Sequence, residues 1–574
     1  MSSVTKTRRS SIYYDYKIYP SWVPPHDHFE DRLGIVIVGA GPSGLLTALK
    51  LAQLGVASTV LNAEQQVTEG SRAIVYTRRS MEILHDIGVA DRVSQAALPW
   101  RFGTSFYRGQ PVYRLQAPHD DDQRFFPMSN LQQQFLEQYL LEACLANPLI
   151  DIRFANRLQS MEHDERFVDL KINTTKADYD LRCDWLVAAD GGRSFIRSAL
   201  GLRLEGEAFE ANFVIVDIRV DLPLPTERLA YFDPSWNPGN TVLVHRQPRG
   251  IWRIDYQLSA GETAAEALSV DALRQSIKAT LSMLGFPDLP WELDWSSVYS
   301  ARTMSLPSYR RGRVLFAGDA AHLLPIFGVR GANTAFQDAQ SLGWHLAMVA
   351  KGWCDESVLD NYSQERLEAV AEIMAESAKS TRFMAPPSEG FRLLRNAVLS
   401  LSLSHRFVGP LFHWRTSRSH RYRRSSFHVS GDDDALFEQG PAQGESLIDV
   451  RLSAESFLVD YLQGGFCLLL YVAPAELDAI VRVVQSWREH GPPLKLLLLH
   501  PSNKEITASS LLLDSDRVLS DDDASLRERY GLRTKGAAYL FRPDQHVAAR
   551  WIALDAVRLQ TALDQIRRPS LLMS

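Results

Sequence analysis

Gly34-Ile35-Val36-Ile37-Val38-Gly39-Ala40-Gly41-Pro42-Ser43-Gly44-Leu45-Leu46 is the stretch on which the fold turns. Ile35 to Val38 is a short apolar run of the kind that becomes a buried strand. After the glycine turn, Leu45, Leu46, Ala48, Leu49, Ala52 and Leu54 make a helix apolar on most of its sides, and Ser58 to Leu61 reads as a second strand. The order is a β-α-β unit. Gly39, Gly41 and Gly44 fit G-x-G-x-x-G between strand and helix, where each glycine has a physical use. Gly39 permits the tight turn, Gly41 lets the main chain approach a pyrophosphate, and Gly44 lets the helix pack on the strand. Ser43 lies in the first turn of the helix, whose N-terminal partial charge favours phosphate. The acidic residue that normally takes a ribose is displaced: the second strand ends at Asn62, with Glu64 two residues on, and the contact stays open between them.

Outward from this unit, residues 1–33 read as an irregular N-terminal arm lying on the surface, rich in Tyr, Pro and His. Residues 34–205 form the first part of the dinucleotide-binding domain, and 206–295 a β-rich insertion that forms the middle, substrate-binding domain. In that insertion Asn212 to Val220, Ala230 to Phe232, Thr241 to His245 and Trp252 to Leu258 alternate as antiparallel strands do. Residues 296–350 return to the first domain through a strand at Arg313 to Ala317 and a helix from about Thr334. A helical segment follows over 351–414, then a linker over 415–443 and a small α/β domain over 444–574. The last holds a strand (Phe466 to Val472), an amphipathic helix, a strand (Leu494 to Leu499) and a hairpin turning at Arg542-Pro543-Asp544-Gln545.

Composition narrows the function. Sixty-two basic against 68 acidic residues give a net charge of −6, so the chain offers no broad positive field to a nucleic acid. Four dispersed cysteines, Cys144, Cys183, Cys354 and Cys467, have neither metal-ligand nor disulfide spacing, which points to a reducing cytoplasm. No uncharged apolar stretch reaches the roughly 18 residues of a membrane span.

Two further stretches repeat the strand-then-turn pattern. Trp185-Leu186-Val187-Ala188-Ala189-Asp190-Gly191-Gly192 leads from an apolar strand into an Asp-Gly turn, with Arg197 beyond it. Val314-Leu315-Phe316-Ala317-Gly318-Asp319-Ala320-Ala321-His322 ends a strand in Gly-Asp. In order and spacing the three stretches resemble the class A flavoprotein monooxygenases, the single-component aromatic hydroxylases, and most closely the branch with 3-(3-hydroxyphenyl)propionate and phenol-type hydroxylases. The resemblance runs from about Tyr13 to Trp551. It implies an α/β architecture: a Rossmann-type FAD-binding fold, an inserted antiparallel sheet and a C-terminal thioredoxin-like domain.

The same resemblance implies site residues. Asp319 matches the carboxylate that holds the flavin ribitol, with Gly318 before it, and Asp190 matches the turn that serves both FAD and the nicotinamide donor. Gly70-Ser71-Arg72-Ala73 and Asn130-Leu131-Gln132-Gln133 with Glu137 look like cofactor-touching signatures, Gln133 being preferred to Gln132. Arg72 is the candidate for gating or nicotinamide contact. Pro325-Ile326-Phe327-Gly328-Val329-Arg330-Gly331-Ala332-Asn333 resembles the loop beside the isoalloxazine. Pro325 and Arg330 are taken as catalytic there, and Gly328, Gly331, Ala332 and Asn333 as cofactor-binding. Ile326 and Val329 depart from the family pattern, which has a second Pro and usually Gly or Ala at these places. His322 is expected to be structural. Arg253 and Tyr256, near the signature Trp252-Arg253-Ile254-Asp255, are candidate substrate contacts, set against the plainer reading of strand residues in a sheet core or an ion-paired face.

The implied activity is oxygenation of a phenolic compound through a flavin hydroperoxide, with FAD bound, NADPH or NADH visiting as co-substrate and O₂ consumed. A single G-x-G-x-x-G agrees with transient nicotinamide binding. The alternatives are a flavin halogenase, whose Trp-x-Trp-x-Ile-Pro segment is absent, and a flavin-binding protein of the same fold without oxygenation. Ala473-Pro474-Ala475-Glu476 stands where a redox thioredoxin carries C-x-x-C, so the last domain is expected to pack or to dimerise, and a homodimer is expected.

Overall fold

The computed structural model describes residues 10–24, 32–70, 72–259, 261–412, 419–500, 516–520 and 524–569; Ser71 and parts of the expected arm, linker and last domain lie outside them. Its first sheet holds five parallel strands in the order Val314–Phe316, Tyr179–Ala188, Arg32–Val38, Ser58–Asn62 and Ile150–Phe154. Their apolar runs are buried on both faces, as a parallel sheet covered by helices requires. The three strands that carry the motifs are therefore neighbours, and their register is level. Val38 lies opposite Ala188, and Ala188 opposite Phe316. All three turns leave the sheet from one edge, the carboxyl edge where open α/β sheets hold ligands.

Two helices pack together against this sheet, Pro42–Gln53 and Gly331–Ala350. They cross at Gly343, where a Cβ would stand 2.7 Å from Lys50 Cβ. Glycine there sets how closely the helices approach.

The second sheet has eight strands, in the order His322–Leu323, Trp291–Ser305, Glu205–Val220, Ile251–Gln257, Thr241–Arg246, Arg228–Phe232, Phe102–Tyr107 and Gln110–Gln116. Local alternation foretold its middle strands. The hairpin Phe102–Gln116 was not foretold, and its first strand joins Arg228–Phe232 in parallel. That pairing spans more than a hundred residues, and alternation within a strand carries no information about so distant a neighbour. One face packs Val214, Val216, Ile254 and Tyr256 on the helix Val270–Met283 through Leu273, Ile277 and Leu281. The opposite face looks toward the first domain.

The segment 419–443 is not a free linker: Tyr422 and Phe427 are buried, and Asp434 accepts from Arg550 Nε at 2.6 Å. Nor is the arm merely superficial, since Tyr13, Tyr14 and Tyr19 are buried. The segment 419–443 is polar in composition, and only its few aromatics reveal packing, whereas the arm carries four tyrosines and a tryptophan between residues 10 and 24. The last unit is a five-stranded mixed sheet in the order Arg517–Ser520, Leu494–His500, Phe466–Tyr471, Ala538–Phe541 and Val547–Trp551. Cys467 is buried in its central strand, and desolvation pushes the thiol up to about 12.

This unit is keyed into the first domain by the turn Arg542-Pro543-Asp544-Gln545. Arg542 makes a two-pronged ion pair with Glu365 at 2.6 and 2.8 Å, and Trp344 Nε1 donates to Asp544 Oδ2 at 3.0 Å. Lys50 Nζ donates to the carbonyl of Pro543 at 2.9 Å, and Arg79 donates to Asp544 O and Gln545 Oε1 at 2.6 and 2.7 Å. All of these side chains are buried.

Candidate functional site

The site begins at the level strand ends. Gly39 has φ +111°, and a Cβ on it would lie 2.3 Å from the Ala189 carbonyl oxygen; a Cβ on Gly44 would lie 2.0 Å from that of Gly39. No other residue fits either place. A Cβ on Gly41 meets nothing within 4 Å, so that glycine keeps its space for something other than protein. The helix starting at Pro42 has no side-chain cap, which leaves its first N–H groups directed at the same space. Gly318, at φ +62°, closes the turn from the other side, a Cβ there falling 2.3 Å from Ser43 Oγ.

Two carboxylates border this cradle. Asp190 Oδ2 accepts the N–H of Ile196 at 3.1 Å, while its Oδ1 is buried without a hydrogen-bond partner in the protein. Burial raises its pKa. Asp319 is open to solvent yet set deep among protein atoms, and desolvation raises its pKa against the opposing charges of His322 and Arg72. Such a carboxylate, wet but deep, suits a polyol. Arg197 joins the two turns, donating to Gly192 O at 2.7 Å and to Ala320 O at 3.0 Å. Asn62 stands at its strand end and donates to Glu64 O at 3.0 Å, whereas the Glu64 carboxylate turns outward to Arg157 at 3.3 Å.

Sequence reasoning missed Asp338. Its Oδ2 accepts the N–H of Gly318 at 3.1 Å and pairs with His322 Nε2 at 2.6 Å, and its Oδ1 accepts from Arg366 at 2.7 Å. Burial would raise its pKa, but His322 and Arg366 hold it down at about 2. The Gly-Asp turn therefore hangs on a permanently charged hub, and His322 serves it as a structural partner. The available signal was a single acid in a stretch, Gly331 to Ala350, that has no other Asp or Glu and no Lys or Arg of its own, so that burying it demands a cation from elsewhere.

The Arg72 loop is pinned to the cradle through its backbone. Thr68 N–H donates to Glu137 Oε2 at 2.7 Å, Ala73 N–H to Gln133 Oε1 at 2.9 Å, and Arg253 donates to Arg72 O at 3.1 Å. Gln133 Nε2 also donates to Glu137 at 2.6 Å. Gln132 points the other way, buried and donating to Pro248 O at 3.1 Å. The Arg72 side chain is exposed and close enough to Asp319 to lower its pKa.

Pro325 and Gly328 are buried in the loop that leads to the helix Gly331–Ala350, Gly328 at φ +86°. Val329 holds φ +61°, a strained setting for a β-branched residue, and its side chain packs on Ile74, Val75, Trp100 and Met128. Position 329 thus keeps a left-handed backbone although no glycine stands there. Gly331 faces open space, and the N–H groups of Gly331, Ala332 and Asn333 form the uncapped first turn. The Asn333 side chain differs from expectation. It is consumed by protein, accepting from Thr77 N at 2.8 Å and Ser80 Oγ at 2.6 Å and donating to Val75 O and Val329 O. Only its backbone is left for a ligand. Arg330 likewise departs from a catalytic placement: its buried guanidinium turns to the helix Val358–Met384, within 3.5 Å of Ile373 O and 3.4 Å of Ser380 Oγ. Burial lowers its pKa to about 10.

Of the two substrate candidates, Tyr256 lies on the wrong face. Strand periodicity sends it with Trp252 and Ile254 to the helix-backed core, where its ring meets Trp236 edge-on at 5.4 Å. Arg253 does face the first domain, but it is committed to a buried two-pronged pair with Asp217 at 2.7 and 2.8 Å. Around it lies a polar half of the face. Asp255 is pushed up to about 7 by burial against the pull of Arg253; His245 Nε2 stands 3.7 Å from it, and burial holds His245 well below its usual range. Burial also lowers Arg228, to about 10. The other half is apolar, with Phe213 edge-on to Phe327 at 5.0 Å and Phe232 edge-on to Phe383 at 5.6 Å, beside Leu243 and Ala230.

Comparison with known proteins agrees with this geometry. Residues 32–377 match the FAD binding domain family. The chain is 26% identical over 544 residues to a 3-(3-hydroxy-phenyl)propionate/3-hydroxycinnamic acid hydroxylase of Escherichia coli (strain K12), covering 92% of this chain and 93% of that one. Among solved structures it resembles the flavin-dependent monooxygenase PieE in complex with FAD and substrate, with TM-score 0.77, 22% identity and coverage of 93% and 98%. It also resembles aklavinone-11 hydroxylase with FAD and aklavinone, with TM-score 0.73, 25% identity and coverage of 94% and 99%. The glycines a side chain would clash with, the orphaned Asp190 oxygen and the deep Asp319 all fit an FAD, and the chain belongs to the FAD binding domain family, among its single-component aromatic monooxygenases.

Proposed function

We propose that this FAD-dependent monooxygenase hydroxylates a phenolic compound held between the loop Pro325–Asn333 and the domain-facing side of the second sheet. The observation that carries this reading is the division of that side into an apolar half, Phe213, Phe232 and Leu243, which Phe327 of the loop meets, and a buried polar half around Asp255 and Arg253. An aromatic ring suits the first and its hydroxyl the second. When bound, FAD supplies hydride acceptance from NAD(P)H and delivery of one oxygen atom of O₂ to the ring. The chain supplies placement and charge. The uncapped N–H groups of Gly331, Ala332 and Asn333 stabilise negative charge developing beside them, and the Phe213–Phe327 wall keeps water out. Asp255, at about 7 and next to His245, is set to hold the phenol proton near neutral pH. Arg72, exposed at the mouth of the cradle, is placed for the nicotinamide donor.

The wider setting follows from the surface. Leu393, Leu394 and Leu401 on the helix Glu389–Ser402, and Leu403 and Phe407 after it, are exposed apolar side chains that support a homodimer. Four free cysteines support a reducing cytoplasm, and among the described residues no helix is long and apolar enough to cross a membrane. The test is to purify the protein, record its flavin spectrum, and follow NADPH and NADH oxidation with O₂ uptake over a panel of phenols. Acceleration of flavin reduction by a phenol, with product one oxygen heavier, is expected. A flavin-loaded protein indifferent to every phenol overturns the reading.

A further inference from the structure

The family match begins at residue 32, yet the described arm, residues 10–24, precedes it and crosses two units of the fold. At one end Ser11 Oγ and the Ile12 N–H donate to Asp294 of the strand Trp291–Ser305, at 2.8 and 2.7 Å. Further on, Tyr14 packs edge-on against Phe135 at 4.9 Å, and Tyr19 stacks on Phe154 at 4.6 Å while accepting from Gln138 Nε2 at 2.7 Å. These tyrosines are anchors. Tyr16 differs: it is half-buried, and its hydroxyl accepts the N–H of Gly70 at 3.1 Å.

Gly70 belongs to the loop that carries Arg72. The loop's other backbone anchors, Glu137, Gln133 and Arg253, all lie within the family-matched region; Tyr16 does not. Gly70 is buried at φ +76°, and a Cβ on it would meet Trp295 Nε1 at 2.4 Å. That indole N–H is a donor and cannot replace the hydroxyl as acceptor. A buried amide stripped of its acceptor favours any loop position that gives it another.

We propose that the N-terminal arm is a strap that holds the Arg72 loop at the mouth of the flavin cradle, with the Tyr16 hydroxyl as its positioning group. The proposal rests on the flavoprotein reading above, but it concerns the chain's own residues and has a readout in the apoprotein. Tyr16→Phe removes the bond to Gly70 and, with it, the longer one from Gln134 Nε2 at 3.5 Å. Tyr19→Phe removes a shorter bond of the same arm, to Gln138, that does not touch the loop, and so controls for general loosening.

Tryptic cleavage after the exposed Arg72 is measured in the apoproteins, and flavin reduction by NADPH and by NADH at saturating FAD in the loaded proteins. Tyr16→Phe is expected to speed cleavage about tenfold, the factor that corresponds to one lost hydrogen bond of ordinary strength. It is also expected to change the reduction rate severalfold at an unaltered melting temperature relative to Tyr19→Phe. Equal behaviour of the two variants, or a lower melting temperature in Tyr16→Phe with cleavage and reduction unchanged, overturns the strap. A wild-type protein that takes up no FAD defeats the flavoprotein reading, while the cleavage comparison still decides the strap.

Discussion

Asp255 owes its raised pKa to burial first, with Arg253 and Arg228 pulling it down and Asp217 pushing it up. Its folded value, about 7, exceeds the roughly 3.9 of an unfolded aspartate. Between those values the folded chain keeps a proton that the unfolded chain has released, so this group makes stability fall as pH rises from about 4 to about 7. Asn cannot ionise. Asp255→Asn should therefore match the parent near pH 4 and exceed it at pH 8, by up to about 1.4 kcal/mol for each unit of the shift. Urea midpoints at the two pH values read the difference, and a pH-independent gap between the proteins contradicts it. The same substitution should flatten the alkaline rise of activity on a phenol if Asp255 holds the substrate proton.

At the scale of elements, the helix Gly331–Ala350 depends on Asn333 more than on any cap. One side chain ties its first turn to Thr77, Ser80, Val75 and Val329, which join the helix Arg78–Asp86 and the strained loop to it. Asn333→Ala should cost about 2–4 kcal/mol, because it leaves several buried donors and acceptors unpaired at once. It should also weaken FAD binding, read by fluorescence titration; unchanged affinity with unchanged stability contradicts the assignment. This scale also shows what a sequence can disclose. The three strand-turn stretches were legible because each one's meaning lies within a dozen residues, and the sheet adds only that they are adjacent and level. No strong reason in the sequence separates Gln133 from Gln132; in the structure a one-residue step turns the amide from the Arg72 loop to the Pro248 carbonyl. The Tyr16 contact and the parallel partner of the strand Phe102–Tyr107 were illegible because they come from distant chain. Tyr256 was misplaced because strand alternation says that two faces exist, not which one meets the cofactor.

For the whole molecule, the decisive contact is the Arg542 turn. Burial would raise Glu365, and Arg542 holds it down at about 2, so the pair is ionised at any ordinary pH. Arg542→Ala should cost about 3–5 kcal/mol, since it strands a buried carboxylate. Arg542→Lys should recover only part of this, as an ammonium cannot reproduce the two-pronged geometry. Thermal melts of the three proteins check the order, and a silent Arg542→Ala contradicts it.

The Arg542 turn also has a bearing on biogenesis. Every residue assigned to the cradle has left the ribosome by Asn333, but the counter-charge for Glu365 and the oxygens that receive Lys50 and Arg79 arrive some two hundred positions later. Until then Lys50 and Arg79 have their acids, Asp86 and Glu82, but Glu365 lacks its guanidinium partner. A chain that stops short of Arg542 leaves the Glu365 carboxylate buried without its counter-charge, and its hold on FAD should be weaker than the full chain's.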